Sequence, residues 1–497
     1  MLAAPGAPVA VSEQFFRGAN LFDALLALSY GRLSRRSLRR CQHRMKDHIS
    51  RRQFLGATAI AGAGLSLSLS QAARAQVAGP GTEGKPALLG GKPVRTRPPR
   101  EWPIIDERED KAMLETVHSG KWFRGNGKNV SRFEEAYAKA TGAKNCLATN
   151  SGTSALFTSL AAVGVEAGDE VIVAPYTFIA TVNVILLHHA LPIFVDSDPE
   201  TILIDARKIE AAITDRTTAI IPVHLGGSAA DLDTILAVAK KHKLPVIEDA
   251  CQSHLGQWRN RCLGTWGDTG CFSFQASKNL NCGDGGAIIT NSEEWADQCY
   301  SFHNQCRPRR ASGGEVAAKS SRGGNFRMTE FQAAILLAQM TRLEEQMKTR
   351  EQNADYLRSL LKEIPGIVPA KMYNGCTRNA YHLFMYRYQK EHFAGLPRKR
   401  FLEALKAEGV VCNAGYGRLN KEAFIKRSLA SRSWQRLFPA DTLNQWEART
   451  ECPANDKLSE EAAWFTQTTL LGPRSDMDQM AEAIRKIQKH AGDLAKA

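Results

Sequence analysis

Lys278 stands in the stretch Ser273-Phe274-Gln275-Ala276-Ser277-Lys278-Asn279-Leu280, which follows an apolar run and precedes Gly283-Asp284-Gly285-Gly286. A lysine at the end of a buried strand can form a Schiff base, because its surroundings disfavour the protonated amine and leave a nucleophile. Taken alone, a lysine is far more often a solvated surface group. Twenty-nine residues upstream, Val246-Ile247-Glu248-Asp249-Ala250-Cys251-Gln252 ends another strand on a carboxylate. An acid there either caps the next helix or holds a heteroaromatic nitrogen protonated. The ring of pyridoxal phosphate needs the second arrangement to take up the electrons of a substrate carbanion, and Asp249 suits it once Lys278 is present.

Two further pieces lie upstream. Asn150-Ser151-Gly152-Thr153-Ser154-Ala155-Leu156 is a short turn running into a helix. The backbone N–H groups of such a helix start, with the hydroxyls of Thr153 and Ser154, make an anion site without a basic side chain, although a Ser-Gly-Thr turn also serves simply as a cap. Tyr176-Thr177-Phe178 ends another strand and offers an aromatic ring that either packs in the core or covers a flat heterocycle.

The elements that must position these residues alternate. Apolar runs at 170–174, 191–195, 219–223, 245–247, 270–274 and 286–290 read as strands. Helical patterns at 154–163, 178–188 and 231–241 lie between them, the order of a largely parallel sheet with helices on both faces. From Thr329 a single long helix is expected to about Leu361, because Leu336, Met340, Leu343 and Met347 recur on one face. Past Pro365 the pattern becomes mixed, with a strand over 381–388 and a helix over 398–408, as in a second, smaller domain.

With 43% hydrophobic and 23% charged residues in 497, the chain is neither disordered nor fibrous. Its net charge of +14 is concentrated at one end: residues 1–75 hold eleven basic and three acidic residues. A nucleic-acid binder would carry that excess on its folded body, so no nucleic-acid partner is expected. Within the leader, Ser50-Arg51-Arg52-Gln53-Phe54-Leu55-Gly56 precedes an apolar run, Ala57 to Leu69, and Ala73-Arg74-Ala75 has the form of a cleavage site. This resembles a twin-arginine export signal cut before Gln76, and it implies the twin-arginine machinery as a partner and a periplasmic or extracytoplasmic destination. The apolar run is too short for a permanent membrane span. Residues 1–44 do not fit the scheme, and Met45 is an alternative start. The eleven cysteines have no paired C-x-x-C spacing, so neither a metal site nor a regular disulfide framework is expected.

Taken in order, these pieces resemble the DegT/DnrJ/EryC1/StrS family. The resemblance is carried by GDEVIVAPYTFIAT (168–181), FVDSDPETILID (194–205), AIIPVHLGG (219–227), IEDACQSHLG (247–256), GTWGDTGCFSFQASKNLNCGDGGAIITN (264–291) and GGNFRMTEFQAAI (323–335). It implies an α/β protein of the fold-type I pyridoxal-phosphate class. After the leader (1–75) and a linker (76–100) would come a large domain (101–355), with a mixed, mostly parallel seven-stranded-type sheet between helices, and a smaller α+β domain (356–497).

The resemblance also implies roles. Lys278 would be the Schiff-base lysine and the base of the 1,3-proton shift, and Asp249 would hold the ring nitrogen. Gln252 would sit near the ring hydroxyl, and Phe178 would stack on the ring. Gly152, Thr153 and Ser273 would hold the phosphate, with Asn325 reaching the phosphate of the neighbouring subunit in a homodimer. The implied reaction is amino transfer from glutamate or glutamine to a keto-sugar, often nucleotide-linked, or a keto-cyclitol. An aminohydroxybenzoate-synthase-like lyase and a non-catalytic protein on the same scaffold are the alternatives. Cys251 stands where the family usually has alanine, Leu255 where it commonly has glycine, and the stretch Gly415 to Asn420 departs from the sugar-nucleotide pattern. The basic loop His303 to Gly324 could meet an anionic substrate or simply be solvated.

Overall fold

Seven short strands assemble in the order their apolar runs require. They are β1 (Asn145–Thr149), β2 (Glu170–Val173), β3 (Leu191–Phe194), β4 (Thr217–Ile221), β5 (Ile247–Asp249), β6 (Thr269–Ser273) and β7 (Gly286–Thr290). This computed structural model describes residues 84–98, 100–311, 314–315 and 321–497, so the leader and its signal lie outside the described residues. Strands β1-β7-β6-β5 form one ladder and β3-β2-β4 another. Parallel bridges Ile220↔Val246 and Val223↔Asp249 join them into a seven-stranded sheet. Only β7 runs against its neighbours. The other six therefore end at one edge, where open α/β sheets receive their ligands.

The sheet is buried on both faces, which is why β3 reads as an unbroken apolar run and β2 as one after its first residue, Glu170. The expected helices are present as α3 (Gly152–Ala162), α4 (Ile179–Leu187) and α5 (Leu232–His242), preceded by α1 (Glu107–Ser119) and α2 (Asn129–Thr141).

The single helix expected from Thr329 is in fact two, α6 (Glu330–Met340) and α7 (Leu343–Lys362). Arg342 leaves helical geometry at φ −118°. Its guanidinium forks onto Glu109 of α1 at 2.7 and 3.0 Å, and both side chains are buried. Stranding either buried charge would cost about 3–5 kcal/mol, more than the roughly 1 kcal/mol of a helical hydrogen bond, so the pair decides the backbone.

Beyond α7 an antiparallel sheet forms from β8 (Ile367–Pro369), β9 (Leu383–Tyr388), β10 (Asn413–Ala414) and β11 (Ala462–Thr466), in the order β8-β9-β11-β10. It packs on α7 and on α8 (Arg474–Lys489) through Leu357, Leu361, Phe384, Phe465, Met480 and Ile484. Between β10 and β11 the chain leaves this sheet. Ile425, Leu429, Trp434, Phe438 and Trp446 join the core of the large sheet instead. Trp446 Nε1 donates to the Pro192 carbonyl at 2.8 Å, and Arg449 forks onto the buried Glu170 at 2.8 and 3.0 Å.

Candidate functional site

Strand alternation sends the successive carboxylates of β5 to opposite faces. Glu248 is used up structurally. It accepts the N–H groups of Gly264, Trp266 and Gly267, each at 2.7 Å, and His224 Nε2 at 2.9 Å. Burial alone would raise its carboxyl, but His224 and those N–H groups hold it below its ordinary value. His224 Nδ1 accepts the Ala230 N–H at 3.1 Å, so Nε2 carries the imidazole hydrogen toward Glu248.

Asp249, 5% exposed, is left to face the strand-end cleft. Its Oδ2 accepts the Thr181 hydroxyl at 2.8 Å, and its Oδ1 accepts the Cys251 N–H at 3.1 Å. Thr181 in turn meets the Thr177 hydroxyl at 3.1 Å. This chain of oxygens fixes the carboxylate from the first turn of α4, whose cap is Phe178. Phe178 is 54% exposed, directly after the buried Tyr176 and Thr177.

Lys278 follows β6 in a loop closed by Cys282 N–H to Phe274 O at 3.0 Å and Ala276 N–H to Gly283 O at 2.8 Å. Burial pushes its amine below the ordinary value, while the Cys251 thiol and the Asp249 carboxylate pull the other way. Among the described residues Nζ has no hydrogen-bond or ion-pair partner. An amine shifted toward its neutral form without a partner is a nucleophile in waiting.

The helix start at Gly152 lies directly on β6. A Cβ at Gly152 would sit 2.6 Å from Ser273 Cβ and 3.1 Å from Cys251 Sγ, so only glycine permits this approach. Ser151 Oγ caps the helix through the Ser154 N–H at 3.0 Å. The Ser154 hydroxyl, which the turn motif offered to an anion, is committed to Asn150 and Ser151 instead. Gly152 and Thr153 remain, their N–H groups those that a helix leaves unpaired, beside the Ser273 hydroxyl. Ser273 is itself held from behind. His254 bridges the Ser273 carbonyl and the Tyr137 hydroxyl, each at 2.9 Å, and burial pushes its imidazole down to about 3.

Gln252, 4% exposed, accepts the Gly226 N–H at 2.7 Å and donates to the Tyr416 hydroxyl at 3.2 Å. Asn325 is the exception to this convergence: it is exposed, bridges to Asn304, and makes no side-chain bond to the cluster of its own chain. The adjoining Phe326 carbonyl accepts the Asn150 N–H at 2.8 Å, which sets Asn325 close to the turn before α3. Thr181, Gly226 and Tyr416 were not singled out for the cluster by sequence. The nearest signal was a threonine one helical turn after Thr177.

A cavity of about 650 Å³ lies elsewhere, between Arg124, Cys146, Tyr300 and Arg309, and none of the eight expected site residues lines it. Its Arg124 is paired with Glu134, and its Arg309 with Glu293 and Asp297, so these charges are already answered. The basic loop supplies Arg309 to that wall; its residues 312, 313 and 316–320 lie outside the described residues. Among the described residues no group of three or more His, Cys, Asp or Glu side chains could hold a metal ion.

Two of the three departures noted in the sequence have a physical reading. Leu255 adopts φ +59°, the left-handed region that costs a residue with a Cβ roughly 1–2 kcal/mol and explains why glycine is common there. The Cys251 thiol fills the small space between Asp249 and the start of α3, and burial pushes its pKa well up.

The family model described as the DegT/DnrJ/EryC1/StrS aminotransferase family matches residues 103–484. The L-glutamine:2-deoxy-scyllo-inosose aminotransferase of Streptoalloteichus tenebrarius is 36% identical over 426 residues, covering 82% of this chain and 98% of that one. The L-glutamine:scyllo-inosose aminotransferase of Streptomyces griseus is 33% identical, covering 82% and 99%. Among solved structures, 3-amino-5-hydroxybenzoic acid synthase superposes with a TM-score of 0.69 at 29% identity, covering 81% of this chain and all of that one. NtdA of Bacillus subtilis with bound cofactor PMP superposes with a TM-score of 0.65 at 27% identity, covering 80% and 86%.

Proposed function

This chain belongs to the DegT/DnrJ/EryC1/StrS aminotransferase family, and from that premise we propose that it carries an amino group from glutamine, or glutamate, to a keto-cyclitol, with Lys278 as the working amine. Fold and family make it a pyridoxal-phosphate aminotransferase. The observation that carries the site assignment is the partnerless, burial-shifted amine of Lys278 beside the buried carboxylate of Asp249. Relatives named for glutamine and inosose acceptors, at 33–36% identity over nearly their whole length, favour a cyclitol over a nucleotide-linked sugar.

The residues fit the cofactor. The close approach of Gly152 to Ser273 sets the N–H groups of the helix start beside the Ser273 hydroxyl, donors that suit a phosphate, and the exposed Phe178 suits a flat ring. When bound, pyridoxal phosphate supplies the aldehyde that receives the amino group and the ring that takes up the electrons of the substrate carbanion. Lys278 Nζ would be the amine that holds the cofactor at its aldehyde and, when free, the base that moves the proton at the reacting carbon. Asp249 keeps a proton on the ring nitrogen, and Thr181 and the Cys251 N–H hold that carboxylate in place. Gly152, Thr153 and Ser273 hold the phosphate, and Gln252 faces the ring oxygen. Exposed in its own chain, Asn325 reaches the site of a second copy in a homodimer.

Incubation with pyridoxal phosphate, L-glutamine and 2-deoxy-scyllo-inosose is expected to yield the aminocyclitol, detected by mass spectrometry. Conversion of a nucleotide-linked keto-sugar with the inosose untouched would move the acceptor to that class. No transfer to either would sink the reading.

Arg51 and Arg52 are read as the pair that directs the folded, cofactor-loaded protein to the twin-arginine export machinery and so to an extracytoplasmic compartment. Mass spectrometry of the mature protein should find Gln76 first. A chain that starts at Met1 or Met45 and stays in the cytoplasm would overturn this.

A further inference from the structure

Gln252 is oriented by its neighbours. Gly226 can offer it only an N–H, so the amide oxygen must face Gly226. The amide nitrogen must then face the cleft, with one hydrogen on Tyr416 Oη and one left over. Position 226 calls for glycine, because its backbone has φ +66° and a Cβ there would lie 2.8 Å from Met385 Cε of β9. The side chain is thereby a donor only.

Tyr416 comes from the far side of the cleft, two residues after β10. Its ring packs on Trp464 of β11, with centroids 4.8 Å apart, and on Tyr176, 5.7 Å apart. Its backbone N–H donates to Tyr176 Oη at 3.1 Å. Burial pushes its hydroxyl up to about 12, so the phenol stays neutral and keeps its own hydrogen.

We propose that Tyr416 is a positioning residue: by accepting one hydrogen of Gln252 it aims the other at the 3-oxygen of the bound cofactor, and so lowers the proton affinity of the linkage at Lys278. This rests on the assignment of Gln252 to the ring oxygen and of Lys278 to the aldehyde. The physical reason is a competition. The 3-oxygen and the lysine nitrogen share one proton, and a fixed donor to the oxygen weakens the oxygen's hold on it. Loss of the anchor leaves Gln252 able to swing, and the proton is held more tightly.

The test is a pH titration of the visible absorption of the cofactor-loaded full chain. Tyr416→Phe keeps the ring that packs on Trp464 and removes only the acceptor. Its midpoint should rise by about one pH unit, the worth of one charge-assisted hydrogen bond, and Gln252→Leu should rise at least as far. Cofactor affinity, measured by fluorescence, should change less than about threefold, because the phosphate contacts are untouched. An unmoved midpoint in Tyr416→Phe, with the visible band intact, overturns the role of Tyr416 alone. Absence in the unmodified chain of a visible band that borohydride removes overturns the Lys278 assignment and this inference with it. Should Tyr416→Phe fail to fold, Gln252→Leu carries the test: an unmoved midpoint there would overturn the proposal.

Discussion

Lys278→Ala is expected to lose amino transfer by about 10⁴-fold, the upper end of what a positioned acid-base group supplies, while still taking up the cofactor. Binding should persist because the helix start at Gly152 and Thr153, the Ser273 hydroxyl and the Asp249 carboxylate remain. The loop that presents Lys278 is closed by backbone bonds on either side, so truncating the side chain leaves its course unchanged. Single-turnover mixing with glutamine should show no conversion of cofactor. Turnover near that of the unmodified chain would remove Lys278 from the reaction.

The same variant reports on assembly. Mixed with an equally inactive Asn325→Asp chain, it should recover part of the activity, because one site of each hybrid dimer would pair an intact lysine with an intact asparagine. Hybrids that form and stay inactive would place Asn325 away from the partner's phosphate.

Asp249→Asn should slow proton removal by about 10²–10³-fold, the loss typical of one preorganised electrostatic contact. The amide has the carboxylate's shape, so Thr181 and the neighbouring backbone can still receive it, and the fold should survive. A neutral amide cannot keep a proton on a ring nitrogen, and the electron sink weakens. A donor deuterated at its reacting carbon should show a larger rate difference in the variant than in the unmodified chain. Equal rates in the two proteins would reject the role.

Much of this was legible because it is local. Strands β2, β3, β5, β6 and β7 are short, buried on both faces and bounded by turns, so composition alone exposes them. Asp249 and Lys278 are legible because one ends an apolar strand and the other follows the end of one by five residues. β1 was passed over: Asn145-Cys146-Leu147-Ala148-Thr149 mixes polar and small residues, and it becomes a strand only by pairing with β7. The break at Arg342 was hidden for the same reason, since the helical period continues through it and only a carboxylate on α1, more than two hundred positions away, overrides it. The Thr181 contact to Asp249 and the Tyr416 contact to Gln252 join residues 68 and 164 positions apart. No window along the chain contains either pair.

The excursion between β10 and β11 bears on the order in which the molecule can be made. β11 lies between β9 and β10 yet comes from the last portion of the chain, after residues that pack on the large sheet. While that portion is still being synthesised, β9 has an open edge and β10 has no neighbour to pair with. The C-terminal layer is therefore closed late, by a strand delivered from a segment already anchored at Trp446 and Arg449. Those anchors also act as a tether that ties the later layer back to the large sheet.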